Sequence, residues 1–95
     1  MHAAIRKYRV TDADELVRRV EAEFVDRVKG VDGFVGYYVV DAGDGTVASI
    51  TVGETEAAVE ESTNVARDWV GESAAELVEG TPEVTAGEVR VSTQT

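Results

Sequence analysis

The spacing of apolar positions changes period along the chain, and each change marks an element. Residues 3–10, Ala3-Ala4-Ile5-Arg6-Lys7-Tyr8-Arg9-Val10, carry the β-formers Ile5, Tyr8 and Val10 and predict a strand. Thr11 stands three before Asp14, a capping-box-like start for a helix. Leu16, Val17, Val20, Phe24 and Val28 then fall on one helical face, and Gly30 suits the left-handed cap, so the first helix runs from about Ala13 to Lys29. Two apolar runs follow, Gly33–Val40 and Thr46–Val52, around the Gly/Asp-rich stretch Asp41–Gly45, and they predict a β-hairpin. Thr55 caps a second helix, in which Ala58, Ser62, Val65, Ala66, Trp69, Ser73 and Leu77 face the sheet. Gly71 predicts a kink or break there, because a helical Gly costs ~1 kcal/mol relative to Ala. Gly80-Thr81-Pro82 reads as the helix stop, Val84–Val91 as the last strand and Ser92–Thr95 as a polar tail.

The order strand, helix, strand, strand, helix, strand gives an α+β fold of the ferredoxin-like βαββαβ type. A four-stranded antiparallel sheet carries both helices on one face. Neither hairpin run alternates cleanly, so both faces of the hairpin want to be dry, yet one layer of helices covers only one. A partner surface on the open face resolves the mismatch. The 95 residues are expected to form a single domain, and a core this small often depends on a staple or an oligomer. There is no cysteine for a disulfide or a thiolate metal site, which leaves self-association.

Charge narrows the choice of partners. Nineteen acidic residues against nine basic ones give a net charge of −10, and of the basic residues only Lys7 and Lys29 are lysines. Dense carboxylates with scarce lysine fit a protein adapted to molar salt, where the Debye length falls to ~3 Å and carboxylate repulsion is screened. The same charge argues against nucleic acid, which needs a basic footprint. No apolar run approaches a membrane span, and Met1-His2-Ala3-Ala4 lacks the apolar core of a signal peptide, so a soluble, cytoplasmic protein without membrane contact is expected.

Candidate chemistry is sparse. The only histidine, His2, lies at the N-terminus, so there is no Ser-His-Asp set. Neither a nucleotide-binding glycine motif nor metal-ligand spacing is present. Asp41-x-Gly43-Asp44-Gly45 is too short for a calcium loop and reads as a turn. The basic stretch Arg6-Lys7-Arg9 lies within eleven residues that contain no acid. It either attracts an anionic small molecule or pairs with Glu88 and the carboxylates of the first helix, and pairing is the commoner arrangement. Trp69 sits on the inward face of the second helix as core, and its indole N–H calls for a partner such as Ser62 or a ligand. Tyr37 and Tyr38 point to opposite faces, one under the helices and one to the open side. Asn64 falls off the Trp69 stripe and reads as a surface residue. The acidic positions of the second helix form a solvated face.

Taken together, Ile5–Val10, Gly33-Phe34, the Asp41–Gly45 hairpin, Glu60-Glu61-Ser62 with Trp69-Val70, and Pro82-Glu83-Val84 with Gly87-Glu88-Val89 make a pattern. The chain resembles, over nearly its whole length, the antibiotic-biosynthesis-monooxygenase-like domains of the dimeric α+β-barrel superfamily, in a halophile-type branch of small proteins. The resemblance implies a homodimer whose two sheets pack face to face with helices outside. It also implies either oxidation of phenols or quinols by O₂ without a cofactor, or degradation of haem. The haem-degrading pattern needs an Asn on strand 1 and a Trp and a His on helix 2. Only Trp69 matches, which disfavours haem. The phenol-oxidising pocket of Asn, Trp and Arg has partial counterparts in Asn64, Trp69 and Arg90, and no catalytic assignment carries over.

Two readings follow. One is a cofactor-independent monooxygenase for a small aromatic or phenolic molecule, with Tyr38, Ser62 and Trp69 lining a cavity between helix 2 and the open sheet face and Lys7 or Arg9 holding an anionic intermediate. The other is a non-catalytic dimer that binds a small molecule or a partner, with the same residues serving packing. The charge makes its own prediction: the melting temperature rises from low to molar KCl, and a Tm indifferent to KCl rejects adaptation to salt.

Overall fold

The computed structural model describes residues 1–93; of the polar tail, residues 94 and 95 lie outside the described residues. Four strands, β1 (His2–Val10), β2 (Phe34–Asp41), β3 (Thr46–Gly53) and β4 (Val78–Glu88), form one antiparallel sheet in the order β2-β3-β1-β4. The helices cover one face. Ala4, Arg6, Tyr8 and Val10 of β1 and Val47, Ser49, Thr51 and Gly53 of β3 point under them and are buried. Ile5, Lys7 and Arg9 of β1 point to the other face and are exposed.

The first helical rod is not uniform. It comprises α1 (Ala13–Arg19), a π segment (Val20–Phe24) and α2 (Val25–Lys29). Asp12, rather than Thr11, caps it by accepting the Glu15 N–H at 3.0 Å. The buried positions Leu16, Val20, Phe24 and Val28 are spaced by four, and in a 3.6-residue helix that stripe walks ~40° round the axis per step. The wider π turn, closed by the Val25 N–H on the Val20 carbonyl, takes up part of that drift and keeps Phe24 aimed at the core. There its ring meets Tyr37 at 5.3 Å and Trp69 at 5.5 Å, both tilted.

The hairpin turn consumes its own carboxylates. Asp41 accepts the Gly43 N–H at 2.9 Å and Asp44 accepts the Thr46 N–H at 3.1 Å. Gly43 and Gly45 both adopt φ of 85°, which an L side chain rarely tolerates.

The second long helix, α3 (Glu56–Ser73), is capped by Thr55 and passes through Gly71 without a break. It ends well short of Gly80. Arg19 donates to the Ser73 carbonyl at 2.8 Å, satisfying an orphan acceptor where a cation is favoured, and a single 3₁₀ turn (Ala75–Leu77) follows. β4 therefore starts at Val78 instead of Val84 and stops at Glu88 instead of Val91. Gly80-Thr81-Pro82 is not a helix stop but a bulge. β1 pairs Lys7 with Glu83 and Arg9 with Glu79, so all three residues stand opposite Tyr8 alone. Gly80 supplies φ of 68° there, and Pro82, which has no N–H to donate, belongs at such a break in a ladder.

Two glycines then have opposite expected responses. A Cβ on Gly53 meets the Ala58 Cβ at 2.9 Å and Val59 at 3.2 Å, where β3 passes under α3, whereas a Cβ on Gly71 meets nothing within 4 Å. Gly53→Ala is expected to lower stability by about 1–3 kcal/mol through overpacking. Gly71→Ala is expected to raise it by up to about 1 kcal/mol through helix propensity. Denaturant unfolding of the two variants checks both signs.

Candidate functional site

The alternation of β1 separates the basic stretch Arg6-Lys7-Arg9 into two environments. Lys7 and Arg9 stand on the open face, where Lys7 lies 3.9 Å from Glu83 and Arg9 donates to the Thr46 hydroxyl at 3.1 Å. Glu88, the strand partner expected for these charges, lies instead 3.5 Å from Arg90. Arg6 turns the opposite way, beneath the helices, and is only 1% exposed. Its Nε donates to Ser49 Oγ at 3.0 Å and its Nη2 to Thr51 Oγ1 at 2.7 Å, both on β3. Its Nη1 reaches α3, donating to Thr63 Oγ1 at 3.0 Å and to Ser62 Oγ at 3.3 Å. Ser62 can accept because its own proton goes to the Val59 carbonyl at 2.7 Å.

Four of the five guanidinium N–H groups thus rest on neutral hydroxyls. Among the described residues no carboxylate lies within 4.0 Å of Arg6. A buried cation ordinarily has an anionic partner, because hydroxyls replace hydration without neutralising charge. Burial accordingly pulls the Arg6 pKa down from its usual value, with Tyr8 and Tyr37 acting against it. Burial also pushes the Tyr8 hydroxyl up, opposed by Arg6 and Ser49. It pushes Tyr37 up to about 12, again opposed by Arg6 and Ser49. Both phenols are neutral at physiological pH.

Two of the spaces that border these residues bear on a ligand. Beside Trp69 lies a void of about 20 Å³ bounded by Tyr8, Phe24, Tyr37, Ser49 and Val70. It has room for about one water and none for an aromatic ring. The Trp69 indole N–H is already engaged, donating to Glu23 Oε1 of the π segment at 3.3 Å, so Ser62 is not its partner. The second space is an open groove of about 450 Å³ between α3 and β4, created where the Gly80–Pro82 bulge carries β4 away from Tyr8. Arg6, Tyr8, Thr63, Arg67, Val78 and Val84 line it.

The five residues expected to share a pocket divide between two faces of the sheet. Ser62 and Trp69 are buried under the helices, while Lys7, Arg9 and the 58%-exposed Tyr38 lie on the open side. Tyr37 packs inward as its neighbour Tyr38 points out. Asn64 is exposed and accepts from Arg67 at 3.1 Å. Sequence reasoning passed over Ser49, Thr51 and Thr63, and took Arg6 only as part of the basic stretch Arg6-Lys7-Arg9. The available signal was parity: Arg6 shares a face with Ala4, Tyr8 and Val10, and its cross-strand neighbour is Ser49.

The raised Tyr37 pKa has a pH consequence with a definite sign. The unfolded phenol ionises near 10 and the folded one near 12, so its stabilising contribution is complete below pH 10 and disappears as pH rises to about 12. Thermal unfolding followed across that window is expected to show Tm falling, and Tyr37→Phe is expected to flatten the fall. An unchanged slope in the variant rejects the assignment.

No protein-family model and no curated protein matches the chain. Solved structures do. A protein of unknown function from Nitrosomonas europaea, NE2512, superposes with a TM-score of 0.78 at 14% identity, over 99% of this chain and 93% of that one. The ActVA-Orf6 monooxygenase of Streptomyces coelicolor, solved in complex with nanaomycin D, gives 0.76 at 19% identity over 99% and 91%. SnoaB, a cofactor-independent oxygenase from Streptomyces nogalater, gives 0.72 at 16% identity over 96% and 94%. The order β2-β3-β1-β4 under a single layer of two helical rods is therefore the antibiotic-biosynthesis-monooxygenase-like α+β fold.

Proposed function

We propose that this protein is a homodimer that takes a small aromatic or phenolic molecule into the groove between α3 and β4 and oxidises it with O₂, as a cofactor-independent monooxygenase. The observation that carries the reading is the groove itself. Its volume of about 450 Å³ falls in the range of small-molecule sites, and apolar walls from Val70, Val78 and Val84 surround a few polar groups. The likeness in fold to a cofactor-independent oxygenase supports the reaction type. In the balanced form, an activated ring CH₂ and O₂ give C=O and H₂O, with all electrons supplied by the substrate. The protein's part is to bind the ring, exclude water and stabilise the oxyanion that reacts.

A second reading rests on a specific observation: among the described residues no carboxylate or imidazole lines the groove, so none of them serves there as a general base. In that reading the same dimer binds its ligand without turning it over.

The second copy has a natural seat. On the open face Tyr38, Ile50 and Ile5 stand in one cross-strand row, flanked by Val40, Ala48 and Val52. Tyr38 is 58%, Val40 50% and Ile5 40% exposed, an apolar band that single water-facing sheets rarely carry. Lys7, Arg9 and Tyr38 would then meet the partner instead of the groove.

Light scattering in molar salt is expected to give twice the chain mass of 10.2 kDa, and a monomer at micromolar concentration rejects the dimer. Oxygen uptake on a panel of phenols and hydroquinones tests the reaction. Turnover is expected, with loss in Val84→Trp, which fills the groove from an exposed position. Binding without O₂ uptake leaves the non-catalytic reading; turnover undiminished in Val84→Trp places the chemistry elsewhere.

A further inference from the structure

The void beside Trp69 has a neighbour on each side. Tyr8, Val70 and Val78 border both the void and the groove. Val20, Tyr37 and Val39 border both the void and an open surface depression of about 450 Å³ between the first helical rod and β2. We infer, on the reading of the groove as an oxygenase site, that this void is a seat for dioxygen, entered from the β2 side and set against the inner wall of the groove.

The walls select the guest. Leu16, Val20, Phe24, Val47, Ala66 and Trp69 present carbon to the void. Its polar neighbours are already engaged. Ser49 Oγ accepts from Arg6 at 3.0 Å, and hydrogen bonding to Ser49 acts on both phenols, Tyr8 and Tyr37. The Trp69 N–H goes to Glu23, and among the described residues no buried side-chain nitrogen or oxygen lacks a partner. A water held in such a space needs about two to four polar partners, whereas apolar cavities stay dry and take apolar guests such as xenon. Dioxygen is neutral, apolar and diatomic, and it asks for no hydrogen bond. Of the two reactants it alone fits a void of about 20 Å³.

The position suits delivery. Only the side chains of Tyr8, Val70 and Val78 stand between the void and a ring held in the groove. The depression on the other side, floored by Val17, Val20, Val25 and Val39, gives the gas an approach that the ring does not block. The two reactants thus come from opposite sides of one wall. Val20 and Phe24, which begin and end the π segment, both line the void, and π turns inside helices are frequent at functional sites. Ala66 of α3 keeps the space open, since a larger side chain there would occupy it.

Methyl relaxation in the intact protein under O₂ pressure tests the inference, because dissolved O₂ is paramagnetic and speeds the relaxation of nearby protons. Ala66 and Val47 line the void; Ala4 and Val59 are comparably buried and line neither the void nor the groove. The O₂-induced rate is expected to be severalfold greater at Ala66 and Val47. Ala66→Val, which narrows the void, is expected to remove the excess at Val47, and Val84→Trp, which fills the groove, is expected to leave it. Where a phenol is turned over, Ala66→Val is expected to raise the KM for O₂ severalfold with the KM for the phenol unchanged. Equal rates at all of these residues, or an NOE from a bound water to Ala66 and Val47, overturn the seat. An excess that disappears in Val84→Trp places the gas in the groove and overturns it too. Selective O₂ occupancy without turnover of any phenol supports the seat while rejecting the oxygenase reading, and turnover without selective occupancy does the converse. If Ala66→Val does not fold, the native chain and Val84→Trp still decide.

Discussion

The architecture depends on a single buried guanidinium. Arg6 reaches from β1 to two hydroxyls on β3 and two on α3, and so fixes the central strand pair and the long helix relative to one another. Apolar contacts between a sheet and a helix tolerate sliding, because they are not directional. A planar fork with donors at fixed angles does not. Around it, Ala4, Ala58 and Gly53 are small enough for α3 to approach β3 closely, which sets the distance that the fork must span. The Phe24, Tyr37 and Trp69 cluster fills the other half of the same interlayer space. Polar half and aromatic half are thus parts of one layer, and the groove opens at the polar edge.

Much of the fold was legible in the chain because periodicity and turn chemistry report local geometry. The strand order follows from the element order and the rule for right-handed crossovers. The Asp41–Gly45 turn could be read from residue type alone, and its aspartates behave as turn formers. Element ends at the second crossover were not legible. Gly80-Thr81-Pro82 is as good a bulge as a helix stop, and what ends α3 is Arg19, fifty-four positions away in sequence. No local window contains that contact. The π segment was hidden for a related reason: a stripe spaced by four is compatible with an α-helix until the core demands that Phe24 stay in line.

The site was less legible than the fold. A basic stretch on a strand looks like one feature, yet the pleat sends Arg6 to one side and Lys7 and Arg9 to the other, where their surroundings differ completely. Parity reveals the division, but whether the inward arginine finds a carboxylate depends on which helix face lies above it. Here that face presents Ser62 and Thr63, and the acidic residues of α3 point away. Trp69, the most conspicuous residue in the sequence, is closed in by Phe24 and Glu23 and contributes mass to the core instead of a wall to the groove.

The bulge in β4 has a consequence for how this fold changes over time. Three residues stand where a regular ladder would place one, so the loop of backbone at Gly80–Pro82 is joined to the sheet only at its two ends. Exchange, insertion or loss of a residue there reshapes the groove mouth while the β1–β3 register, the hydroxyl cradle and the open face stay as they are. Groove shape and the buried hydroxyl cradle are in that sense inherited separately: one is written in an edge strand that is free to drift, the other in a central strand that is not.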